Sequence, residues 1–551
     1  MRRSRIAVLV VFTTVVGFVV GAISDETALN TTVVAQAEKI MGLTFTEAER
    51  DSLLSDLDDY VESYAALRGV EVDNGVPPAI AFNPLPIGFE VPSGDRDIKL
   101  SKPGQKKRPQ NLEDLAFWTV RDLGELIREH KVTSTELTEM YLDRLRKFGP
   151  ELECVITLTE EMALAAAKRA DEEIAAGNYR GPLHGIPYGA KDLLAVQGYP
   201  TTWGAEPYRN QTREETATVV RKLEEAGAVL VAKLTLGALA WGDVWYGGKT
   251  RNPWNLEQGS SGSSAGSASA TSAGLVAFAI GTETWGSIVS PSTRCGTTGL
   301  RPTYGRVSRY GAMALSWSMD KIGPICRTAE DCAIVFDAMR GSDGLDQSVI
   351  DAPFGYAPDV ELSSLRVGYI KSAFEEDYPN QAFDEATLGV LRGLGAELIP
   401  IELPELPVSA LAMILTAEAA AAFDDLTRSN RDDMMARQIK NAWPNVFRGG
   451  RFIPAVEYIQ ANRVRYMIIQ EMEKLEVDIW VAPSFIGDNL LLTNLTGHPC
   501  VVLPNGFNDD GAPVSITIMG RLFEEATVLA VANAVQRVTD VHEKHPERFR
   551  P

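Results

Sequence analysis

Small and hydroxyl-bearing residues are concentrated in one internal stretch, residues 258–270, which reads QGSSGSSAGSASA. This composition alone is typical of a flexible linker, because glycine and serine have little side-chain surface to bury. The stretch is soon followed, however, by LVAFAIGTETWGSIVSPS, which has the pattern of a buried strand that ends in a glycine turn. The question is therefore whether these serines separate domains or take part in catalysis.

A serine nucleophile needs a base, and the sequence offers a lysine for that role. Lys191 ends the apolar, glycine-containing segment GIPYGAK, and burial pushes such a lysine toward its neutral, proton-accepting form. A structural salt bridge between Lys191 and Asp192 is the alternative interpretation, and the sequence leaves it open. The histidines do not suggest a serine–histidine–aspartate arrangement, since His130 and the two near the C terminus lie in polar segments.

Two other motifs match known active sites only in part. Ser318 and Lys321 have the S-x-x-K spacing, but the sequence lacks the S-D-N and K-T-G motifs that accompany it in other hydrolases. The segment GGKT at residues 247–250 ends like a phosphate-binding loop, but Asp243 stands where that loop needs its first glycine. Neither motif predicts a second catalytic or phosphate-binding site.

The composition excludes several classes of function. The chain has 551 residues, a hydrophobic fraction of 45% that is ordinary for a globular protein, and a formal net charge of −21. Surfaces that bind nucleic acid are normally basic, so we do not expect nucleic acid as a partner. The cysteines form no metal-binding pattern, so we expect no structural metal, no cofactor and five buried free thiols: Cys154, Cys295, Cys326, Cys332 and Cys500.

Three longer segments closely resemble the amidase signature family of serine hydrolases. They read GPLHGIPYGAKDLLAVQG, RNPWNLEQGSSGSSAGSASATSAG and GTETWGSIVSPSTRCGTTGLRPTYGRVSRYGAMALSWSMDKIGP. The resemblance resumes at TGHPCVVLPNGF and GAPVSITIMGRLFEEATVLAVANAV, so it covers about residues 112–545. It implies an α/β fold with a twisted mixed β-sheet core sandwiched between α-helices. The alternation of helical and strand-like segments after Leu112 also favours an α/β fold.

The resemblance further implies the catalytic residues of an amidase that acts on linear amides. The family's lysine falls on Lys191, the serine that follows a cis peptide bond on Ser263, and the nucleophilic serine on Ser287. Ser263 is expected within hydrogen-bond reach of both others, passing the Ser287 proton to neutral Lys191 and later returning a proton to the departing amine. The amides expected to bind the oxyanion are those of Thr284, Trp285, Gly286 and Ser287.

The turn around Ser287 departs from the family pattern Asp-x-Gly-Gly-Ser-Ile-Arg at three positions. Glu283 replaces the aspartate, Trp285 a common glycine, and Val289 a common arginine. Trp285 either fills part of the substrate pocket or conflicts with a backbone conformation that favours glycine. We still expect an active enzyme, because the lysine and both serines are retained. The substrate-binding residues are unknown, although nearby aromatic residues favour an apolar acyl pocket: Trp241, Trp245, Tyr246 and Trp285.

The first 24 residues predict a signal peptide or N-terminal membrane anchor. Arginines are followed by an uncharged stretch from Ile6 to Ser24, which as a helix of about 1.5 Å per residue nearly spans a bilayer core. We therefore expect an exported protein that is periplasmic, secreted, or attached to a membrane through residues 6–24 and facing away from the cytoplasm.

The rest of the chain divides into three further regions. Residues 25–75 have helical periodicity, with Thr46 as an N-cap, and form a helical extension that leaves self-association open. Residues 76–111 are rich in proline and indicate a strap or linker. Residues 112–545 form the amidase domain, in which a helical block at about 380–475 is a candidate substrate cap.

Three classes of function are compatible with these observations. The leading hypothesis is hydrolysis of a small-molecule carboxamide through an acyl-enzyme on Ser287. The second is a glutaminase subunit of a tRNA-dependent amidotransferase, which much of the core also resembles but which an exported, acidic protein does not favour. The third is a non-catalytic binding protein on the amidase scaffold, which the altered turn before Ser287 suggests.

Overall fold

The predicted signal or anchor segment lies outside the residues that the computed structural model describes, which are 29–94, 97–104 and 106–551. Within these ranges, no helix combines the length and the hydrophobicity that a membrane crossing requires. The described residues fall into two units, which divide between Asp73 and Asn74.

The first unit contains two helices, α1 (Thr31–Met41) and α2 (Glu47–Arg68). The side chain of Thr46 accepts a hydrogen bond from the backbone N–H of Glu49, whose carboxylate accepts one from the N–H of Thr46 in return. This reciprocal capping box begins α2 at the N-cap that the sequence predicts. Arg50 and Glu38 join the two helices through an ion pair of 2.7 Å.

The second unit alternates helices and strands along most of its length. Its α-helices are α3 (Val120–Arg128), α4 (Ser134–Leu152), α5 (Glu160–Ala175), α6 (Thr218–Glu225), α7 (Ala265–Ser272), α8 (Val289–Cys295), α9 (Ala329–Met339), α10 (Lys371–Glu375), α11 (Gln381–Gly393), α12 (Ala412–Ala422), α13 (Asp424–Arg428), α14 (Trp443–Gly450), α15 (Ala455–Met472), α16 (Asn489–Thr496) and α17 (Glu525–Arg537). Its strands are β1 (Val155–Leu158), β2 (Pro187–Lys191), β3 (Val229–Leu234), β4 (Val244–Trp245), β5 (Gly248–Lys249), β6 (Arg251–Asn252), β7 (Asn255–Gly259), β8 (Phe278–Glu283), β9 (Thr298–Arg301), β10 (Lys321–Cys326), β11 (Val367–Ile370), β12 (Leu398–Ile401), β13 (Ile479–Pro483), β14 (Cys500–Phe507) and β15 (Pro513–Gly520).

Eleven strands of the described chain form one mixed sheet, in the order β1-β3-β2-β8-β10-β9-β14-β15-β13-β11-β12. Strands β3, β2 and β8 run parallel to one another, as do β13, β11 and β12, while the remaining pairs are antiparallel. The predicted α/β fold with a mixed sheet is therefore confirmed.

The central strands are covered on both faces. Strands β2, β3, β8 and β10 are buried at every residue, which is typical of a sheet that lies between two layers. Helices α4, α5, α6, α7 and α9 contact these strands, and helices α8 and α17 contact the neighbouring strands β14 and β15. Because β2 and β8 are parallel neighbours, their carboxyl ends meet at one edge, and the residues that follow them lie close together.

The serine-rich stretch is not a linker. Residues 265–272 form helix α7, in which every residue is buried against the sheet. Small side chains allow this close approach, since a Cβ at Gly266 would lie 2.5 Å from the backbone nitrogen of Thr235. The small side chains of this stretch, which in the sequence are typical of a linker, are thus required for close packing in the fold.

The proline-rich stretch at 76–111 packs on the rest of the second unit over part of its described length. Phe82 lies edge-on to Tyr304, with 5.0 Å between the ring centroids, and Ser101 donates its backbone N–H to Glu330 at 2.7 Å. The block at 380–475 is mostly helical, but it also contains β12, which forms one edge of the main sheet. The five cysteines are buried and free, as the sequence predicts.

Candidate active site

Lys191 lies at the carboxyl end of β2, and no part of its side chain is exposed to solvent. Its Nζ donates a hydrogen bond to Ser263 Oγ at 2.8 Å and another to Thr282 Oγ1 at 2.8 Å. Burial lowers the pKa of Lys191 to about 7, while attraction to the carboxylates of Asp320 and Glu283 opposes that shift. The amine is therefore held among hydroxyl groups and is close to half neutral at pH 7.

Ser263 lies two residues before α7 and follows a cis peptide bond, Gly262–Ser263. Gly262 fits the available space because a Cβ there would lie 1.8 Å from the carbonyl oxygen of Gly242. Ser263 is buried, and its hydroxyl can donate a hydrogen bond of its own while it accepts one from Lys191. The predicted contact between Lys191 and Ser263 and the predicted cis peptide bond are both present.

Residues 284–287 form the turn between β8 and α8, and the buried Glu283 anchors this turn. Its carboxylate accepts hydrogen bonds from the backbone N–H groups of Ile288 and Val289, at 2.8 and 3.0 Å, and from Arg301 at 2.9 Å. Burial opposes ionisation, but the charge of Arg301 and these N–H donors prevail and lower the pKa of Glu283 to about 2. The glutamate in place of the family's aspartate is thus an ionised anchor.

The backbone amides of the same turn are available to a ligand. Among the hydrogen bonds of the described residues, none uses the backbone N–H of Thr284, Trp285, Gly286 or Ser287 as donor. A positive φ of 82° occurs at Gly286, whereas Trp285 has no positive φ. The expected conflict between Trp285 and a backbone conformation that favours glycine is therefore absent, because glycine occupies the position that needs it.

Ser287 connects the turn with the serine-rich segment. Its carbonyl oxygen accepts a hydrogen bond from the backbone N–H of Ser264 at 3.2 Å, and the residue is 9% exposed. The hydrogen bonds of the described chain include none between the hydroxyl groups of Ser263 and Ser287. Ser263 was predicted to hydrogen-bond both Lys191 and Ser287. The structure contains the hydrogen bond to Lys191 but not the one to the hydroxyl of Ser287.

A pocket of about 280 Å³ opens beside Ser287. Part of its lining consists of hydroxyl-bearing residues and glycines: Gly242, Ser261, Gly262, Thr284, Gly286, Ser287 and Ser290. The rest of the lining is apolar or aromatic: Ala240, Trp241, Trp285, Leu315, Leu415 and Trp443. Of the four aromatic residues that lie near the catalytic segments in the sequence, Trp241 and Trp285 line the pocket, whereas Trp245 and Tyr246 do not.

Sequence reasoning missed several residues of the site, among them Thr282, Asp320 and Trp443. Asp320 accepts a hydrogen bond from Thr284 Oγ1 at 2.6 Å and others from the backbone N–H groups of Leu315 and Ser316. The position of Asp320 directly before the buried strand β10 could have indicated that its carboxylate holds a neighbouring turn. In the sequence, however, Asp320 draws attention only as a residue between Ser318 and Lys321 of the S-x-x-K motif. Trp443 reaches the pocket from α14, and nothing near it in the sequence indicates the contact.

The structure rejects the salt-bridge alternative for Lys191. Asp192 pairs instead with Lys233, with 2.7 Å between Nζ and Oδ1, and neither side chain is exposed. Successive residues of an extended chain point to opposite sides, so Lys191 and Asp192 diverge.

The S-x-x-K pair is not an active site either. Ser318 Oγ donates to the carboxylate of Glu418 at 2.7 Å and accepts from Arg465 at 2.8 Å. Lys321 is buried in β10, where its Nζ donates to the backbone carbonyls of Met319 and Asn494. Both residues therefore serve structural hydrogen bonds, away from each other.

Comparisons with known proteins agree with this architecture. The amidase family profile matches residues 136–492. A glutamyl-tRNA(Gln) amidotransferase subunit of Halorhodospira halophila is 35% identical over 484 residues, which cover 78% of this chain and 99% of the relative. The subunit of the same name from Roseiflexus castenholzii is also 35% identical, over 78% of this chain and 97% of the relative.

Solved structures show the same fold. The native peptide amidase of Stenotrophomonas maltophilia superposes with a TM-score of 0.69 at 29% identity, covering 77% of this chain and 97% of that one. The corresponding glutamyl-tRNA(Gln) amidotransferase subunit of Thermotoga maritima superposes with a TM-score of 0.65 at 27% identity, covering 77% of this chain and 96% of that one. The fold and the site thus define an α/β enzyme of the amidase class. The chain belongs to the amidase signature family, which confirms the resemblance seen in the sequence.

Proposed function

We propose that this amidase-family enzyme hydrolyses carboxamides through an acyl-enzyme formed on Ser287. The observation that carries the proposal is the position of Lys191, a buried amine 2.8 Å from the hydroxyl of Ser263, at the sheet edge where the turn with Ser287 begins. A lysine with a pKa near 7 accepts a proton readily at neutral pH, which a base for a serine nucleophile must do.

The reaction starts with attack of Ser287 Oγ on the amide carbonyl carbon. The proton of Ser287 passes to Ser263 Oγ as the proton of Ser263 passes to Lys191 Nζ, so that Lys191 becomes charged. The backbone N–H groups of residues 284–287 stabilise the oxyanion, and each such donor contributes about 3–4 kcal/mol to lowering the barrier. The C–N bond then breaks, the proton returns through Ser263 to the leaving nitrogen, and water later releases the acid by the same route.

The missing hydrogen bond between Ser263 and Ser287 is compatible with this sequence of steps. Catalytic hydrogen bonds are often long or misaligned without substrate and shorten when the substrate is bound. The proposal requires that a bound amide brings the two hydroxyl groups together. The lining of the pocket by Leu415 and Trp443 supports the related proposal that the block at 380–475 caps the substrate.

A fluorophosphonate probe tests the proposed nucleophile directly. We expect stoichiometric labelling of folded protein at Ser287, read by peptide mass spectrometry, and loss of labelling and of amide hydrolysis in Ser287→Ala. Ser290→Ala is the matched control, since Ser290 lines the same pocket and hydrogen-bonds Ser261 at 2.7 Å. Folded protein that is unlabelled at Ser287, with no hydrolysis of any amide, would indicate the non-catalytic binding protein instead.

A second candidate is a glutaminase subunit of a tRNA-dependent amidotransferase. It is favoured by the relatives that are named as glutamyl-tRNA(Gln) amidotransferase subunits, whose length the chain covers almost completely. Free glutamine carries an ammonium and a carboxylate, whereas the residues that line the pocket beside Ser287 have no charged side chain. We therefore favour the amidase. Ammonia release from glutamine that depends on added amidotransferase partner subunits and tRNA would reverse this preference.

A further inference from the structure

The lining of the pocket beside Ser287 combines hydroxyl-bearing residues with aromatic ones. Trp241, Trp285 and Trp443 contribute three indole rings, and none of the residues that line the pocket is ionisable at neutral pH. Its volume of about 280 Å³ is near the lower end of the range of about 300–1,000 Å³ that ligand pockets usually have. The space suits a small acyl group that offers an apolar face.

Trp285 brings an indole next to the reacting centre. It lies between Thr284 and Gly286, whose backbone amides are available to the oxyanion, and it is 45% exposed. The indole also lines the pocket beside Ser287, so part of its exposed surface is open to a ligand there. The amidase signature resemblance predicts a glycine at this position, so the indole is a feature of this chain rather than a requirement of the fold.

Two other lining residues, Trp443 and Leu415, are held in place by hydrogen bonds and ring stacking. The indole Nε1 of Trp443 donates to the carbonyl oxygen of Leu239 at 2.9 Å, and its ring stacks on Phe447 with 5.0 Å between centroids. Leu415 belongs to α12, whose buried Glu418 accepts hydrogen bonds of 2.6 and 2.7 Å from the hydroxyl groups of residues 316 and 318. A pocket fixed in this way selects ligands by shape and polarity.

We propose that the pocket selects carboxamides with a flat, uncharged acyl group, and that Trp285 determines this selectivity. The acyl group packs against the indoles of Trp241, Trp285 and Trp443, which line the same pocket, with its carbonyl oxygen toward the amides of the turn. A charged acyl group would lose its hydration there, and none of the residues that line the pocket carries a charge to pair with it; the guanidinium of Arg437, which is not part of the lining, lies over the ring of Trp241 at 4.9 Å from its centroid. The inference rests on the proposed amidase function and adds the class of substrate.

Steady-state kinetics test the selectivity. We expect kcat/KM to be roughly 100-fold higher for benzamide than for glutamine, because the ionised groups of glutamine are desolvated without compensation. Trp285→Ala should lower kcat/KM for benzamide roughly tenfold, mainly through KM, while Trp285→Phe restores most of it. Phe452→Ala is the control, since Phe452 is another exposed aromatic residue, 64% exposed, that does not line the pocket.

A binding measurement separates this inference from the proposed chemistry. In Ser287→Ala, which leaves the amide intact, benzamide should quench tryptophan fluorescence and bind at least roughly tenfold more tightly than glutamine. The double variant Ser287→Ala/Trp285→Ala should lose that preference. Glutamine binding that is as tight as benzamide binding or tighter would overturn the inference, as would a preference for benzamide that survives the loss of Trp285. Either result would do so even if the fluorophosphonate labels Ser287 in the wild-type protein. Selective binding without labelling or hydrolysis would overturn the proposed chemistry and leave the inference supported.

Discussion

Two lysines are buried completely on neighbouring strands of the sheet, and their surroundings differ in one respect. Lys191, on β2, is surrounded by hydroxyl groups, whereas Lys233, on β3, forms an ion pair of 2.7 Å with Asp192. Burial lowers the pKa of both, but at Lys233 the adjacent carboxylate opposes the shift directly. The comparison separates a buried lysine that has a close carboxylate partner from one whose close partners are hydroxyl groups, and the second is the lysine that we propose as the base.

The polar partners of the two lysines follow the same division. Lys233 also donates to the carbonyl oxygen of Pro200 and to Thr201 Oγ1, both at 2.7 Å, beside its ion pair with Asp192. Such an arrangement stabilises an ammonium. Lys191 donates to the hydroxyl groups of Ser263, Ser264 and Thr282 and, at 3.5 Å, to the carbonyl oxygen of Thr282; the hydroxyl groups can donate as well as accept and therefore tolerate the neutral amine. We infer a catalytic amine at one position and a structural ion pair at the other.

The largest expected effect that tests this comparison is on catalysis. Lys191→Met removes the amine but keeps a side chain of similar volume, and we expect kcat/KM for benzamide to fall by about 10²–10⁴-fold, the usual contribution of a general base. The free energy of unfolding, measured with urea, should fall little or rise, because a buried amine without a close carboxylate is removed. An unchanged kcat/KM would show that Lys191 is not the base.

The converse substitution should affect stability. Lys233→Met leaves the carboxylate of Asp192 buried without its partner, and breaking such a pair typically costs about 3–5 kcal/mol of unfolding free energy. The folded fraction should keep a kcat/KM close to the wild-type value. Should this variant fail to fold, Asp192→Asn/Lys233→Met, which removes both charges, is expected to recover part of the stability. A loss of kcat/KM in folded Lys233→Met that equals the loss in Lys191→Met would contradict the division of roles.

The smallest expected effect is a shift of the pH profile. Activity requires neutral Lys191, so kcat/KM should rise with pH and level off above about 7, where its pKa lies. The carboxylate of Asp320 stabilises the charged amine, so Asp320→Asn should lower that pKa and move the rising limb toward lower pH.

The shift of the pH profile distinguishes the charge of Asp320 from its structural role. Asp320 also holds Thr284, so Asp320→Asn is expected to lower kcat as well. A loss of packing alone would lower kcat at every pH and leave the position of the limb unchanged. Asp320→Glu keeps the charge, so kcat/KM should rise over the same pH range as in the wild-type protein. If the rise of kcat/KM stays at the same pH in Asp320→Asn, the charge of Asp320 does not act on Lys191.

Much of the fold and part of the site were predictable because they depend on local patterns. The apolar segments that end in Lys191 and Glu283 are strands, and the described residues of the strap up to Asn111 form no helix or strand, as its prolines indicate. Residues 258–270 are the exception, because their composition alone predicts a linker. The resemblance of the longer segment to the amidase signature family predicts a catalytic segment there instead. Small residues satisfy a flexible chain and a tightly packed helix equally, so composition cannot distinguish the two.

The sequence by itself determined the residue types and spacings that the chemistry needs: a lysine that ends a buried strand, a serine after glycine, and a serine in a glycine turn. The tertiary structure alone decided which buried lysine is paired with a carboxylate, because Asp192 and Lys233 meet only through the register of β2 and β3. It also brought Trp443 to the same pocket as Trp285, across more than 150 residues of chain. Local patterns depend on neighbouring residues, whereas a carboxylate partner and a pocket wall depend on how distant segments pack.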